Sequence, residues 1–384
     1  MNILQIHCKY KYYGGEDFVI DQEKYFLERE QHKVTRYIFD NQKLDNSFYL
    51  LKFLFKFLFN INFKEINAIK NIVKKNDINI VHIHNLFPQI NLSILKEIKN
   101  IGIPIFMTLH NYRIKCINGS FFLNNSLCEL CKKQTKLISI KKKCFQNSYF
   151  KSFFYYQLIT KDNFDKKLIS YVDKFIVFSD FHKFKFKSMG VPKSKIIIKP
   201  NFIENKHIDR NTEINAHCLF IGRTDHNKGM PNVINFWAIN KQYTIDIVGE
   251  DTTNLSNKFL KYNNIRFHGH VDQKKINDFL KCSKILIFPS VWFEGFPITI
   301  LQAMNAGIPI LSSNRGVLPE IIKNNDTGVI FNPDLKGDFE NKLIWMYSNY
   351  HLCINFAKNA KEYSMKYFNP QLNIKKLIQI YQNI

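Results

Sequence analysis

The sequence predicts an α/β protein of two parallel-sheet domains, and three observations carry that expectation. Short apolar runs alternate with longer helical patterns over most of the chain, the arrangement that builds parallel sheets with helical crossovers. Many of the runs, such as Ile285–Phe288, are rich in Ile, Val and Phe without polar alternation, as expected where helices cover both sheet faces. A length of 384 residues is long for one compact domain and suits two of about 150–200 each.

In the first half the runs Asn2–Cys8, Lys33–Phe39, Ile80–Ile83, Ile105–Leu109, Lys174–Phe178 and Lys195–Ile198 read as strands. The polar stretch Glu204–Asn215 then has the composition of a surface connector. A second series starts at His217, with strands expected at His217–Ile221, Tyr243–Val248, Ile265–Phe267, Ile285–Phe288, Ile308–Ser312 and Gly328–Phe331. The expected division is therefore 1–200 and 201–362, with a last helical segment, 363–384. No tandem repeat of 20–50 residues is visible.

Composition narrows the function classes. Lys and Arg outnumber Asp and Glu by 55 to 32, a net charge of +23. That excess suits an anionic partner, whether nucleic acid, membrane surface or phosphorylated substrate. It also suits an AT-rich coding bias, since Lys, Asn, Ile and Phe are all abundant. No stretch reads as an ordinary spanning helix, and Met1–Ile6 reads as a first strand rather than an export signal. A cytoplasmic protein is expected.

The first motif is Ser290-Val291-Trp292-Phe293-Glu294-Gly295-Phe296-Pro297-Ile298, after a buried strand and before an amphipathic helix that carries Gln302. Pro297 suits a first helical position. Such a loop aims free backbone N–H groups and a helix N-terminus at an anion, above all a phosphate. Glu294 at the strand end can accept hydrogen bonds from sugar hydroxyls. The second motif is Gly222-Arg223-Thr224-Asp225-His226-Asn227-Lys228-Gly229, which puts two cations at a strand's carboxyl end. Arg and Lys so placed suit a diphosphate, although a basic loop taken alone is usually a solvated turn.

Together these residues resemble family 4 of the retaining glycosyltransferases, which have the GT-B fold of two Rossmann-like domains facing across a cleft. The resemblance runs through nearly the whole chain and includes Ala306-Gly307-Ile308-Pro309, Gly316 and Pro319-Glu320. It implies that Gly222, Arg223, Lys228 and Gly229 bind the donor diphosphate. It also aligns the family's Glu-x7-Glu motif with Glu294 and Gln302, for the transferred sugar and the nucleotide ribose. Gly295, Phe296 and Ile298 complete the expected donor set. The second Glu of the motif is Gln302 here, so one charge-assisted contact is replaced by an amide.

In the first half, Gly14-Gly15 matches the family's Gly-Gly turn, with Gly15 letting substrate approach closely. His82-Ile83-His84-Asn85 and Thr108-Leu109-His110-Asn111-Tyr112-Arg113 end strands, where open α/β sheets bind ligands. The resemblance puts His110 at the reacting sugar, beside Glu294 as the second catalytic candidate. Four of the eight cysteines fall at Cys116-x11-Cys128-x2-Cys131-x12-Cys144. They offer either a structural zinc site or reduced thiols; four thiolates would leave no open position for a catalytic metal. The run Phe48–Phe59, continued by Phe63-Lys64, sets Lys52, Lys56 and Lys64 close to one face. It reads either as an interfacial helix on anionic lipid or as a sheet cover with snorkelling lysines.

The expected activity is metal-independent, retaining transfer of a sugar from a nucleotide-sugar donor to a saccharide or lipid-linked saccharide, in cell-envelope polysaccharide synthesis. The rivals are a catalytically weak partner subunit of a transferase complex, a sugar-nucleotide epimerase, and a basic zinc-containing nucleic-acid binder. The last leaves the ordered donor motifs unexplained, so no nucleic-acid partner is expected.

Overall fold

The computed structural model describes residues 1–10, 13–58, 62–204 and 216–383; most of the expected connector, 205–215, lies outside them. The chain forms two compact units. The first comprises Met1–Phe121, Glu129–Pro200 and Gln371–Ile384, and the second Phe122–Cys128 and Asn201–Pro370.

In the first unit the strands are β1 (Asn2–Lys9), β2 (Lys33–Asp40), β3 (Ile80–Asn85) and β4 (Ile105–Thr108). In chain order a short hairpin of the second unit follows, β5 (Phe122–Leu123) and β6 (Ser126–Leu127), before β7 (Lys174–Val177) and β8 (Ile196–Ile198) of the first. The six-stranded sheet runs β2-β1-β3-β4-β7-β8, all parallel. The hairpin stands apart as its own antiparallel pair. It was not expected from the sequence. Its signal is Asn124-Asn125, both at positive φ (49° and 59°), the backbone a two-residue type I′ turn demands and asparagine tolerates.

The second unit repeats the plan with β9 (His217–Ile221), β10 (Thr244–Val248), β11 (Ile265–Gly269), β12 (Ile285–Phe288), β13 (Ile310–Ser313) and β14 (Val329–Phe331). Their order is β11-β10-β9-β12-β13-β14, again parallel. Ile285, Leu286 and Ile287 of β12 are fully buried, as the unbroken apolar run requires of a strand covered on both faces. In each sheet the winding direction reverses once, between β1 and β3 and between β9 and β12. At such a switch point the loops leave in opposite directions and open a crevice for ligand.

The helix Tyr350–Tyr367 buries Cys353, Ala357, Ala360 and Ser364 in one stripe and continues past residue 363, where the sequence reading placed a boundary. Ile203 N donates to Phe368 O at 3.3 Å, and the Phe296 and Phe368 rings lie 5.3 Å apart. These contacts tie 363–370 to the second unit. From Gln371 the final helix, Pro370–Gln382, belongs with the first. There Tyr381 OH meets His82 Nδ1 at 2.7 Å. Among the described residues no helix is long and apolar enough to cross a membrane.

Candidate functional site

The β9 and β12 loops meet at the switch point of the second sheet. Val291 N donates to Asn227 O at 2.9 Å, joining them. Gly229 has φ +79°, and a Cβ there would fall 1.8 Å from Pro289 O. Only glycine lets the two backbones approach so closely. Lys228 Nζ donates to Glu294 Oε1 at 2.8 Å. Ser290 Oγ and Trp292 Nε1 donate to the same oxygen at 2.5 and 2.7 Å. Lys228 also lies 5.2 Å from the Trp292 ring centroid, a cation–π distance. Glu294 is buried, and among the described residues no protein group bonds its Oε2. The structure thus joins the two sequence motifs at one carboxylate, held by one oxygen and open at the other.

The supports are as specific. A Cβ on Gly316 would fall 2.7 Å from Glu294 N and 2.8 Å from Glu294 O, so the loop after β13 lies directly against this backbone. Thr224 Oγ1 donates to Asp251 Oδ1 at 2.8 Å. Burial alone would raise the Asp251 carboxyl, but bonds from Ser256, Thr224 and the Leu255 amide outweigh it and hold it far below the usual carboxylate range. That anchor fixes the loop carrying Arg223. Arg223 itself is 57% exposed and pairs with Asp225 at 2.7 Å. It stands outside the Lys228–Glu294 cluster.

Pro297 is the N-cap of helix Ile298–Ala306, one residue earlier than expected, and no side chain caps this end. Among the described residues the Ile298 and Thr299 amides have no protein acceptor, as every helix leaves its first N–H groups. Phe296 is buried and its carbonyl accepts from Asn201 Nδ2 at 3.0 Å, so it backs the loop. Gln302 is not brought to Glu294; its amide donates to Gln273 Oε1 at 3.3 Å, on the neighbouring helix Gln273–Cys282.

In the first unit Gly14 caps helix Gly15–Arg29, and its amide donates to Asp17 Oδ2 at 3.0 Å. A Cβ on Gly15 would meet open space. His110 lies just past β4 with Nε2 at 3.2 Å from His84 Nδ1. Beneath them lies a cluster the sequence reading missed. Glu23 and Lys199 are buried and bonded at 2.8 Å, and Glu23 Oε2 stands 3.4 Å from His84 Nε2 and 3.7 Å from His82 Nδ1. The signal was present: Glu23 sits with Val19, Ile20, Phe26 and Leu27 on the buried stripe of its helix, where a carboxylate needs a partner. Burial pushes His82 down to about 4 and holds His84 and His110 well below the usual imidazole range, helped in both by His7, His82 and Lys199.

The four cysteines offered as zinc ligands or reduced thiols are all free of disulfides. Cys116 is buried and its thiol donates to Asn118 Oδ1 at 2.9 Å; burial raises that thiol's pKa, which disfavours the thiolate a zinc ion needs. Cys116, Cys131 and Cys144 belong to the first unit and Cys128 to the second. Among the described residues the group able to share one ion is Glu23, His82 and His84, with ligand atoms within 4.8 Å of one another; no three of the first unit's cysteines join so closely.

Residues 203–363 match the family model of glycosyl transferases group 1. An uncharacterized 41.2 kDa protein in the cps region of Klebsiella pneumoniae is 25% identical over 270 residues, 64% of this chain and 73% of that one. The O-antigen biosynthesis glycosyltransferase WbnH of Escherichia coli is 30% identical over 167 residues, 43% of this chain and 48% of that one. The chain therefore spans about half the length of this second relative. HepE of Anabaena, solved in complex with UDP, superimposes with a TM-score of 0.71 over 100% of both chains at 12% identity. The fold is GT-B.

Proposed function

We propose that the chain is a retaining glycosyltransferase that moves a sugar from a nucleoside diphosphate sugar to a hydroxyl of a lipid-linked saccharide, in cell-envelope polysaccharide synthesis. The observation that carries this reading is the union of Lys228 and Glu294 at 2.8 Å, with one carboxylate oxygen held by three donors and the other open. The open oxygen would accept from sugar hydroxyls. Lys228 has three N–H donors and needs one for Glu294, so it can serve a phosphate at the same time. The free amides of Ile298 and Thr299 would add to it, and Arg223 would close over the diphosphate from outside. These groups are in place before charge develops on the leaving diphosphate, which is how preorganised donors lower a barrier. His110, in the first unit, would offer a ring nitrogen to a sugar hydroxyl. In this reading the leaving phosphate takes the acceptor proton, and retention of anomeric configuration follows from same-face attack.

The lipid-linked acceptor and an anionic membrane surface are supported by a cavity of about 630 Å³ in the first unit. Seven lysines, among them Lys43, Lys52, Lys64 and Lys96, line it against two glutamates, with Tyr49 and Phe53 among the aromatics. Phe48, Phe63 and Phe150 are exposed at 68–73%; α-helical aromatics beside lysines suit an interface where rings enter lipid and ammonium groups meet phosphates.

The test is calorimetry with a panel of nucleoside diphosphates, followed by NMR of the product formed from the tightest-binding sugar nucleotide. An inverted anomeric linkage overturns retention. Absence of binding to every member of the panel overturns the proposed class.

A further inference from the structure

Between His110 and the buried ion pair runs a line of groups in which each proton position dictates the next. His110 Nε2 faces His84 Nδ1 at 3.2 Å. His84 Nε2 stands 3.4 Å from Glu23 Oε2, the nearest approach to that oxygen, ahead of His82 Nδ1 at 3.7 Å, and neither Nε2 nor Oε2 makes a hydrogen bond among the described residues. Glu23 Oε1 is bound by the Lys199 ammonium at 2.8 Å. All four side chains belong to the first unit.

These groups are close enough to suggest a metal site formed with His82. That use is closed off: Lys199 already supplies the cation beside Glu23, while Tyr381 OH and Thr108 Oγ1 engage the two His82 nitrogens at 2.7 and 2.8 Å.

We propose that the Lys199–Glu23 ion pair sets the tautomer of His110, leaving its Nδ1 unprotonated as a hydrogen-bond acceptor for a ligand hydroxyl. A neutral imidazole carries one proton, and the nitrogen it occupies is fixed by the partner of the other. His84 and His110 are held neutral by burial and by the surrounding His7, His82, His182 and Lys199. Against a carboxylate, His84 must put its proton on Nε2, because the alternative sets a lone pair against an anion in a buried site. Its Nδ1 then accepts, so His110 must donate from Nε2. The Nδ1 of His110 is left bare, and no protein group bonds it among the described residues. The Glu23 charge 3.4 Å away in a buried site favours the tautomer that turns an N–H rather than a lone pair toward it. Glu23, His84 and Lys199 are thus positioning residues. The sugar as the ligand rests on the proposed function; the tautomer does not.

The experiment is long-range proton–nitrogen NMR on the full chain labelled at histidine with nitrogen-15, the His110 signals assigned by loss in His110→Gln. The expected wild-type pattern is Nε2 protonated and Nδ1 bare. In Glu23→Gln the amide oxygen turns to Lys199 and the NH2 group donates to His84 Nε2, so both histidines reverse and His110 shows a protonated Nδ1. Lys199→Arg keeps the wild-type pattern. A protonated His110 Nδ1 in the wild type, or an unchanged pattern in folded Glu23→Gln, overturns the proposal. Should Glu23→Gln fail to fold, the wild-type spectrum alone decides. A chain with the expected tautomer that binds no sugar nucleotide rejects the proposed function and leaves this inference standing.

Discussion

Replacing Lys228 by methionine keeps most of the stem's apolar contact with Trp292 and removes the ammonium. Its side chain is 23% exposed and bonded to a buried carboxylate, so its contact with a bound diphosphate belongs with charged hydrogen bonds worth about 1.5–3 kcal/mol. Loss of the cation also leaves Glu294 facing the phosphates. For unit charges about 6 Å apart at an effective dielectric of about 20, that repulsion is about 3 kcal/mol, which brings the total to about 4.5–6 kcal/mol. Calorimetry with UDP as probe should show affinity falling about a thousand-fold or more. Arg223→Ala, at a side chain 57% exposed, should cost about 0.2–1 kcal/mol, as exposed pairs do. Because part of the Lys228 effect is repulsion from Glu294, the double variant Lys228→Met/Glu294→Gln should bind UDP more tightly than Lys228→Met alone. A double variant that binds more weakly still would mean that Glu294 does not face the anion. Equal losses for Lys228→Met and Arg223→Ala would refute the ranking drawn from burial.

Gly229→Ala would place a Cβ 1.8 Å from the Pro289 carbonyl at φ +79°, so backbone must move; thermal melting should show a loss of more than about 2 kcal/mol, and an unchanged midpoint would contradict the loop geometry. Asp251 has a depressed folded pKa, so its stabilisation is complete above the unfolded value near 3.9 and is lost as pH falls through the folded value; Asp251→Asn should be less stable at pH 7 and show a flatter acid limb in denaturation between about pH 5 and 2. Gln302→Glu removes the weak donor to Gln273 and should change stability by no more than about 0.5 kcal/mol while tightening UDP binding; weaker binding would place something other than ribose against it. Charge reversal at Lys52 and Lys64 should abolish sedimentation with phosphatidylglycerol vesicles yet leave UDP binding unchanged, and retained sedimentation would remove the cavity from the membrane reading.

Every strand of both parallel sheets was legible to within about two residues, because a strand buried on both faces must be apolar throughout and therefore stands out against amphipathic helices. The hairpin at Phe122–Leu127 escaped because two-residue strands carry no period. The end of the second unit near 363 is hard to read because a helix serving one unit and a helix serving the other follow each other almost directly, and the burial of Ser364 and Phe368 marks the first of them. The cysteine spacing left zinc and reduced thiols as alternatives, because spacing does not state which unit each thiol joins; Cys128 sits on a segment of the second unit.

The donor motifs were legible as two separate loops, but their union was not. Nothing in Gly222–Gly229 or Ser290–Gln302 states that Lys228 and Glu294 meet; that follows from β9 and β12 being neighbours at the point where the winding reverses. The same topology ranks the two cations, since Lys228 is drawn under the loop by Gly229 while Arg223 is left outside. In the first unit the pairing of β3 with β4 brings His84 beside His110, and the covering helix delivers Glu23. A buried glutamate far from any loop looks structural in a sequence, yet its charge dictates a proton position on a histidine that it does not touch. The line of partners that starts at Lys199 ends at His110 Nδ1, which no protein group bonds among the described residues.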